Sequence, residues 1–101
     1  MLSFLKGLFQ KNNEGLEQAF QKGAVIVDVR TRPEYQQGHV AGSKNIPLNE
    51  IKLKLETIRK WNKPVVTVCR SGSRSAVAKN VLKAAGIEVY NGGAWTSLKR
   101  K

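Results

Sequence analysis

Cys69 is the only cysteine of the chain, and its neighbours could activate its thiol. It follows the apolar run Val65-Val66-Thr67-Val68 and precedes a turn of serine and glycine, flanked by Arg70 and Arg74, that leads into a helical pattern. The amide N–H groups of such a turn, the N-terminus of the next helix and two guanidinium groups all favour a thiolate over a thiol. The pattern therefore predicts a nucleophilic cysteine rather than a small apolar residue that ends a core strand.

Few other residues could take part in catalysis or bind a metal. One cysteine and one histidine, His39, cannot form a zinc site, so we predict no metal and no other cofactor. We interpret His39 as structural, because an ionised thiolate that displaces a weakly basic leaving group needs no acid–base partner. Asp28 and Arg30 lie at the end of a predicted strand, and we interpret them as a structural ion pair.

Composition restricts the classes of protein. The 101 residues can close one core, and a single cysteine cannot form an internal disulfide, so a reducing cytoplasm is the expected location. Eighteen Lys and Arg against seven Asp and Glu give a net charge of +11, which attracts anions. These basic residues are scattered without interleaved aromatic residues, which disfavours nucleic acid and favours a face that steers small anions or an acidic partner protein.

We predict that residues 1–12 form a separate amphipathic segment, followed by a domain over residues 13–101. Leu2, Leu5 and Phe9 would share one side of a helix, with Phe4 and Leu8 beside them. Lys6 interrupts the segment, so it makes a poor signal peptide, and no segment of the chain is long enough to span a bilayer. Docking on the domain or on a partner is favoured over a weak helix on a membrane surface.

From residue 13 the pattern alternates helix and strand, which is typical of a parallel sheet covered by helices. Strands are predicted at Val25–Val29, Val65–Cys69 and Ile87–Tyr90, with a short candidate over Ser43–Ile46. Gly92-Gly93 is predicted to form a turn. Ligands bind beyond the carboxyl ends of parallel strands, so the pocket is expected near Asp28, Arg30, Cys69 and the segment Tyr90-Asn91-Gly92.

The predicted helices follow from caps and apolar spacing. The first is capped by Asn13, buries Leu16, Ala19 and Phe20, and stops at Gly23; the second begins at the capping box Thr31-Arg32-Pro33-Glu34 and stops at Gly38. The third is capped by Asn49, ends near Trp61 and directs Ile51, Leu55 and Ile58 inward. The fourth follows the cysteine, stops at Gly86 and has on one side Val77, Ala78, Val81, Leu82 and Ala85. The last covers Ala94–Arg100.

Three separated segments of the chain resemble the rhodanese homology domain. They are residues 28–47 (DVRTRPEYQQGHVAGSKNIP), residues 68–75 (VCRSGSRS) and residues 92–95 (GGAW), in the family's order and spacing. The resemblance covers roughly residues 14–98 and implies a single-domain sulfurtransferase with Cys69 as its active cysteine. It also implies an α/β fold: a parallel sheet of four or five strands with helices on both faces, because a first strand found in many relatives is not evident here.

The length of the loop refines this prediction. Cys69 and Arg74 enclose four residues, which resembles the six-residue cradle of rhodaneses that handle sulfur. Phosphatases and arsenate reductases of the same fold have a cradle that is one residue longer and suits an oxyanion. The tighter ring of amides suits a single sulfur. The predicted substrate-binding residues are Arg70, Ser71, Gly72, Ser73 and Arg74, and the predicted pocket support is Asp28, Arg30 and His39.

The expected reaction is transfer of a sulfane sulfur through a Cys69 persulfide, from a small anionic donor such as thiosulfate to a thiol or cyanide. The sequence does not say whether Arg70 or Arg74 faces the donor. Three alternatives stay open: a persulfide carrier for one partner protein, a phosphatase or arsenate reductase of the same fold, and a basic interaction module without activity. Cys69 itself counts against the last.

Overall fold

The computed structural model describes residues 15–98, and a four-stranded parallel sheet lies at their centre. The strands are β1 (Val25–Asp28), β2 (Lys44–Asn45), β3 (Val65–Cys69) and β4 (Val89–Ala94), in the order β2-β1-β3-β4. All five residues of β3 are buried, as expected of an apolar run at the centre of a sheet that is covered on both faces. The predicted α/β fold with a parallel sheet is confirmed.

Four helices of the described residues pack around the sheet. They are α1 (residues 15–21), α2 (Arg32–Gln36), α3 (Leu55–Trp61) and α4 (Ser73–Ala84), with 3-10 turns at Leu48–Glu50, Lys52–Lys54 and Trp95–Leu98. None of the helices within residues 15–98 is long and apolar enough to cross a membrane. The predictions about residues 1–12 and the Asn13 cap lie outside the described residues.

The alternation of side chains along β3 divides the core between the two faces of the sheet. Val65 and Cys69 belong to the cluster that includes Ala78 and Leu82 of α4. Val66 and Val68 point the other way and pack with Ala19 of α1 and the partly buried Trp95 and Leu98. Since residues two apart on a strand share a face, the same alternation that builds the core aims Cys69 towards the first turn of α4.

Local sequence signals position the segment after β1. The Thr31 hydroxyl accepts from the Glu34 amide, and the Glu34 side chain accepts from the Thr31 amide, which is the predicted capping box. Pro33 stands in the first turn, where its missing N–H costs nothing. The helix is one and a half turns long, and it places Glu34 beside the start of α4.

Two helix predictions are wrong in part. Asn49 caps no helix: the chain makes two 3-10 turns, and α3 begins at Leu55 without a side-chain cap, although Ile51 and Ile58 are buried as predicted. Val77 is 50% exposed rather than inward-facing. The buried face of α4 is the narrow row Ser75, Ala78 and Leu82, and Val77 lies about 100° around the helix from Ala78.

The end of the sheet differs most from the sequence prediction. β4 begins at Val89 and continues through Gly92-Gly93, which the sequence assigns to a turn. Thr67 pairs with Asn91 and Val68 with Gly93, so Gly92 is the extra residue of a β-bulge. A Cβ on Gly92 would lie 2.8 Å from Val66 Cγ1, so this glycine permits close packing rather than a reversal of the chain. The predicted last helix is, in its described part, the 3-10 turn Trp95–Leu98.

Candidate active site

Cys69 ends β3 with its sulfur surrounded by the loop that follows. The residue is only 1% exposed. Its Sγ accepts hydrogen bonds from the amide of Gly72 (3.0 Å) and the amide of Ser75 (3.3 Å). Gly72 has a φ of 105°, a conformation that side chains disfavour, and this lets the loop turn sharply enough to point both amides inward. The arrangement is a small anion cradle built around one sulfur atom.

The cradle changes the acidity of the thiol. Burial is the largest influence and by itself raises the pKa of Cys69, but the hydrogen bond between its sulfur and the Ser75 side chain and those from the amides of Ser75, Gly72 and Ser71 lower it and together outweigh burial. The pKa of Cys69 therefore lies below that of an ordinary thiol. A larger share of this cysteine is consequently thiolate, the nucleophilic form, at neutral pH.

Ser75 and Asn91 belong to this site, although the sequence analysis did not count them among the site residues. Ser75 Oγ lies 3.5 Å from Cys69 Sγ and 2.6 Å from Asn91 Oδ1. Asn91 also accepts from the Gly93 amide (2.9 Å) and donates through Nδ2 to the Gly72 carbonyl (3.2 Å). Two features of the sequence could have identified them: Ser75 directly follows the loop, and Asn91 lies at the carboxyl end of a predicted strand.

A cleft of about 290 Å³ opens beside the loop. Arg70, the first residue after the cysteine, is exposed and lines the cleft together with Arg30, Glu34, Gln37, Gly38 and Trp95. The Arg30 guanidinium lies 4.6 Å from the centre of the Trp95 ring. This cation–π contact joins the segment after β1 to the 3-10 turn that follows β4. The cleft therefore lies at the carboxyl ends of the strands, where ligands of parallel sheets bind.

Asp28 and Arg30 form a buried ion pair at the end of β1. Arg30 donates from Nε to Asp28 Oδ1 (2.9 Å) and from Nη2 to Asp28 Oδ2 (2.7 Å), with side-chain exposures of 5% and 0% for Arg30 and Asp28. The same guanidinium donates to the carbonyls of Glu34 and Gly38. One buried charge pair thus fixes the β1–α2 segment that forms a wall of the cleft.

Arg74 faces Glu34 across the start of α4. The two donated bonds measure 2.9 Å and 3.1 Å, and the side chains of Arg74 and Glu34 are 34% and 31% exposed. The hydrogen bond from Arg74, followed by that from the Thr31 amide, lowers the pKa of Glu34 to about 2. In return the bond to Glu34 raises the pKa of Arg74. Of the two arginines in the loop, Arg74 is engaged by a carboxylate and Arg70 lines the cleft.

The side chains of the remaining predicted site residues, Ser71, Ser73 and His39, are exposed. Ser71 contributes through its amide. His39 stacks on Tyr35 with ring centroids 3.7 Å apart, and its Nδ1 lies 2.7 Å from the Tyr35 carbonyl oxygen. It is not among the residues that line the cleft. Within residues 15–98, no group of three or more His, Cys, Asp or Glu could hold a metal ion.

Comparison with known proteins agrees with this geometry. A sequence model of the Rhodanese-like domain matches residues 12–97. The chain belongs to the rhodanese family. It is 38% identical over 79 residues to YqhL of Bacillus subtilis, covering 74% of this chain and 62% of the relative. It is 41% identical over 69 residues to the thiosulfate sulfurtransferase PspE of Escherichia coli, covering 66% of both. The chain thus spans slightly less than two thirds of the length of these relatives.

A solved structure shares the rhodanese fold. It is described as a rhodanese with anions from Escherichia coli, is 37% identical to this chain and superimposes with a TM-score of 0.67 over 72% of this chain and 88% of that one. The rhodanese resemblance predicted from the three sequence segments is confirmed.

Proposed function

We propose that this rhodanese domain transfers a sulfane sulfur through a persulfide on Cys69. The observation that carries the proposal is the convergence of two amides on Cys69 Sγ, at 3.0 Å and 3.3 Å, which stabilises negative charge at that atom. Family membership supports sulfur transfer as the class of chemistry, and the likeness to a thiosulfate sulfurtransferase supports thiosulfate as the donor.

The first half of the reaction is a displacement at sulfur. The Cys69 thiolate attacks the outer sulfur of thiosulfate and forms a new S–S bond. The bond between the two sulfur atoms of thiosulfate breaks, and sulfite leaves with its electron pair. Cys69 then carries a persulfide whose negative charge is on the terminal sulfur, and no proton is transferred in this step. The amides that favour the thiolate also favour this second anion.

The second half returns the enzyme to its starting state. An acceptor such as cyanide attacks the terminal sulfur, the persulfide bond breaks, and the Cys69 thiolate leaves as thiocyanate forms. A thiol acceptor gives the corresponding persulfide by the same step. The cycle is a two-step covalent mechanism in which the enzyme alternates between thiolate and persulfide.

Arg70 is the residue best placed to bind the donor. It lines the cleft and is exposed, whereas Arg74 is bonded to Glu34 and Arg30 to Asp28. Its guanidinium can form two charge-assisted hydrogen bonds to the sulfonate oxygens of thiosulfate.

Sulfur transfer accounts for the loop better than phosphatase or arsenate reductase chemistry does. The amides of Gly72 and Ser75 already contact the cysteine sulfur itself. An oxyanion bound above that sulfur would need further amides to surround its oxygens, and four residues between Cys69 and Arg74 supply fewer than the longer cradle of those enzymes.

A steady-state assay with thiosulfate and cyanide tests the proposal. Cys69→Ser should abolish thiocyanate formation and keep the circular dichroism spectrum, because it exchanges only sulfur for oxygen. Thr57→Ala, at an exposed position of α3, is the matched control and should retain the wild-type rate. Turnover by Cys69→Ser at the wild-type rate would overturn the proposal. Persulfide formation with slow release to cyanide, but fast release to a protein acceptor, would instead favour a carrier role.

A further inference from the structure

The Ser75 hydroxyl has one hydrogen and more than one acceptor within reach. Ser75 Oγ lies 2.6 Å from Asn91 Oδ1, 3.0 Å from the Gly72 carbonyl oxygen and 3.5 Å from Cys69 Sγ. A serine hydroxyl donates one hydrogen bond and accepts up to two. If its hydrogen goes to Asn91, the hydroxyl can serve Cys69 only as an acceptor from S–H.

The orientation of the Asn91 amide is determined by its other partners. Asn91 Nδ2 donates to the Gly72 carbonyl (3.2 Å), and Asn91 Oδ1 accepts from the Gly93 amide (2.9 Å). Rotation of the amide by 180° would oppose donor to donor at Gly93 and acceptor to acceptor at Gly72. Oδ1 therefore faces Ser75, and the bond of 2.6 Å runs from the serine hydroxyl to Asn91.

We propose that Asn91 is a positioning residue for Cys69 that acts through the hydroxyl of Ser75. While Asn91 holds the Ser75 hydrogen, the serine oxygen accepts from the Cys69 thiol and favours the neutral form. When the hydroxyl turns towards the sulfur, it adds a side-chain donor to the backbone amides and favours the thiolate, at the cost of its bond to Asn91. Asn91 thus sets how much of the serine's donor capacity reaches the sulfur.

The bulge in β4 supplies the geometry for this role. The extra residue Gly92 shifts the register between Asn91 and Gly93, which lets the Gly93 amide turn back to Asn91 Oδ1. The edge strand of the sheet therefore carries the nearer of the two acceptors that compete with the sulfur for the hydroxyl, and the Gly72 carbonyl of the cysteine loop is the other.

The charged groups near the sulfur take no part in the competition for the Ser75 hydrogen. On α4, Arg74 interacts electrostatically with Cys69 and is paired with Glu34 of α2. At the end of β1, Asp28 and Arg30 are paired with each other, and Arg70 of the loop lines the cleft. Ser75 and Asn91 are neutral, so substitutions there that keep neutrality test the hydrogen bonds alone.

The unique cysteine allows a direct test. The rate of alkylation by iodoacetamide is measured against pH, which reports the pKa of Cys69 without requiring any sulfur donor. Asn91→Leu has a similar size and no acceptor, so only the Gly72 carbonyl is left to compete with the sulfur for the Ser75 hydrogen. The hydroxyl should then donate to the sulfur more often, and the pKa of Cys69 should fall by about 0.5 to 1. Asn91→Asp keeps the acceptor with a negative charge and should raise the pKa.

The same substitutions in a Ser75→Ala background provide the control. Without the hydroxyl, Asn91→Leu should leave the pKa unchanged, and Asn91→Asp should raise it only by the direct effect of its charge, less than in the presence of Ser75. An unchanged pKa in Asn91→Leu, or equal shifts with and without Ser75, would overturn the proposal. If Asn91→Leu does not fold, Asn91→Asp is compared with and without Ser75, and a pKa shift of equal size in the two backgrounds would overturn the proposal.

The inference rests on the proposed function only in taking Cys69 as the nucleophile. Failure of thiosulfate transfer in the wild-type protein would leave the alkylation result standing, and additive pKa shifts would leave the transfer assay standing. The two experiments therefore fail independently.

Discussion

Two neighbouring regions of the site use polar groups in opposite ways. In the cysteine loop, neutral amides of Gly72 and Ser75 converge on the sulfur of Cys69. In the wall formed by the end of β1 and by α2, charged side chains are bonded to one another: Arg30 to Asp28, and Arg74 to Glu34. The loop thus stabilises an anion with dipoles, and the wall neutralises its own charges.

In the proposed reaction, this difference separates activation of the nucleophile from recognition of the donor. Amides fixed in the backbone cannot turn away from the sulfur or be titrated, so they are suited to a thiolate and a persulfide that alternate in one place. Arginines bonded to carboxylates hold the wall in shape and add little net charge. Arg70 combines exposure with a position in the cleft, and for this reason we propose it as the residue that binds the donor.

The largest expected effect comes from breaking the buried pair of the wall. Asp28→Asn leaves Arg30 charged, buried and without its carboxylate, so the free energy of unfolding should fall by about 3 to 5 kcal/mol. Urea denaturation followed by circular dichroism measures the loss. The double variant Asp28→Asn with Arg30→Gln removes both charges and should recover part of the stability. A loss below about 1 kcal/mol in the single variant would contradict this view of the wall.

Lengthening the cysteine loop should disable the amide cradle and leave the buried pair of Asp28 and Arg30 in place. One glycine inserted between Gly72 and Ser73 moves the amides away from the sulfur, so thiosulfate transfer should fall by about a hundredfold, as when a preorganised donor is removed. The longer ring matches the oxyanion-binding relatives, so binding of phosphate is expected before any phosphatase turnover, since no general acid is evident. The paired measurement is thiocyanate formation and aryl phosphate hydrolysis. Unchanged sulfur transfer would show that the amide cradle is not required.

The arginines should divide between the two roles. Arg70→Ala removes the group assigned to the donor, so kcat/KM for thiosulfate should fall roughly tenfold, mainly through KM. The double variant Arg74→Ala with Glu34→Gln removes the other loop arginine without leaving a lone carboxylate, and its kcat/KM should change by about twofold or less. Equal losses in the two proteins would show that both arginines bind the donor.

The smallest effect concerns Glu34 and depends on pH. Glu34→Gln keeps the capping box but loses the charge pair with Arg74, and it should cost about 1 kcal/mol of stability at pH 7. The folded-state pKa of Glu34 is lowered to about 2, so the stabilisation is complete above the unfolded pKa and is lost as the pH falls through the folded value. Denaturation curves of the two proteins should therefore converge between about pH 4.5 and pH 2. A constant difference over that range would contradict the assignment.

Local signals in the sequence were sufficient for much of the molecule. The run Val65–Cys69 forms the buried central strand, and Thr31 and Glu34 form the capping box, because each depends on residues close in the chain. The family resemblance also follows from contiguous segments. These parts include the proposed nucleophile, Cys69, and the start of the wall.

What could not be predicted depends on contacts between distant residues. A Gly-Gly pair signals a turn, but Gly92 is required by the side chains of Val66 and Val68 on a neighbouring strand. Asn91 and Ser75 meet across 16 positions of the sequence, and Glu34 meets Arg74 across 40. Neither pairing has a local signature, so the sequence left open which arginine of the loop is engaged.

Intact-mass measurement of the protein after incubation with thiosulfate and removal of the excess tests the central claim most directly. A persulfide on Cys69 predicts a gain of one sulfur atom in the wild-type chain, its disappearance on addition of cyanide, and no gain in Cys69→Ser. An unchanged mass in the wild-type protein, or the same gain in Cys69→Ser, would contradict the account.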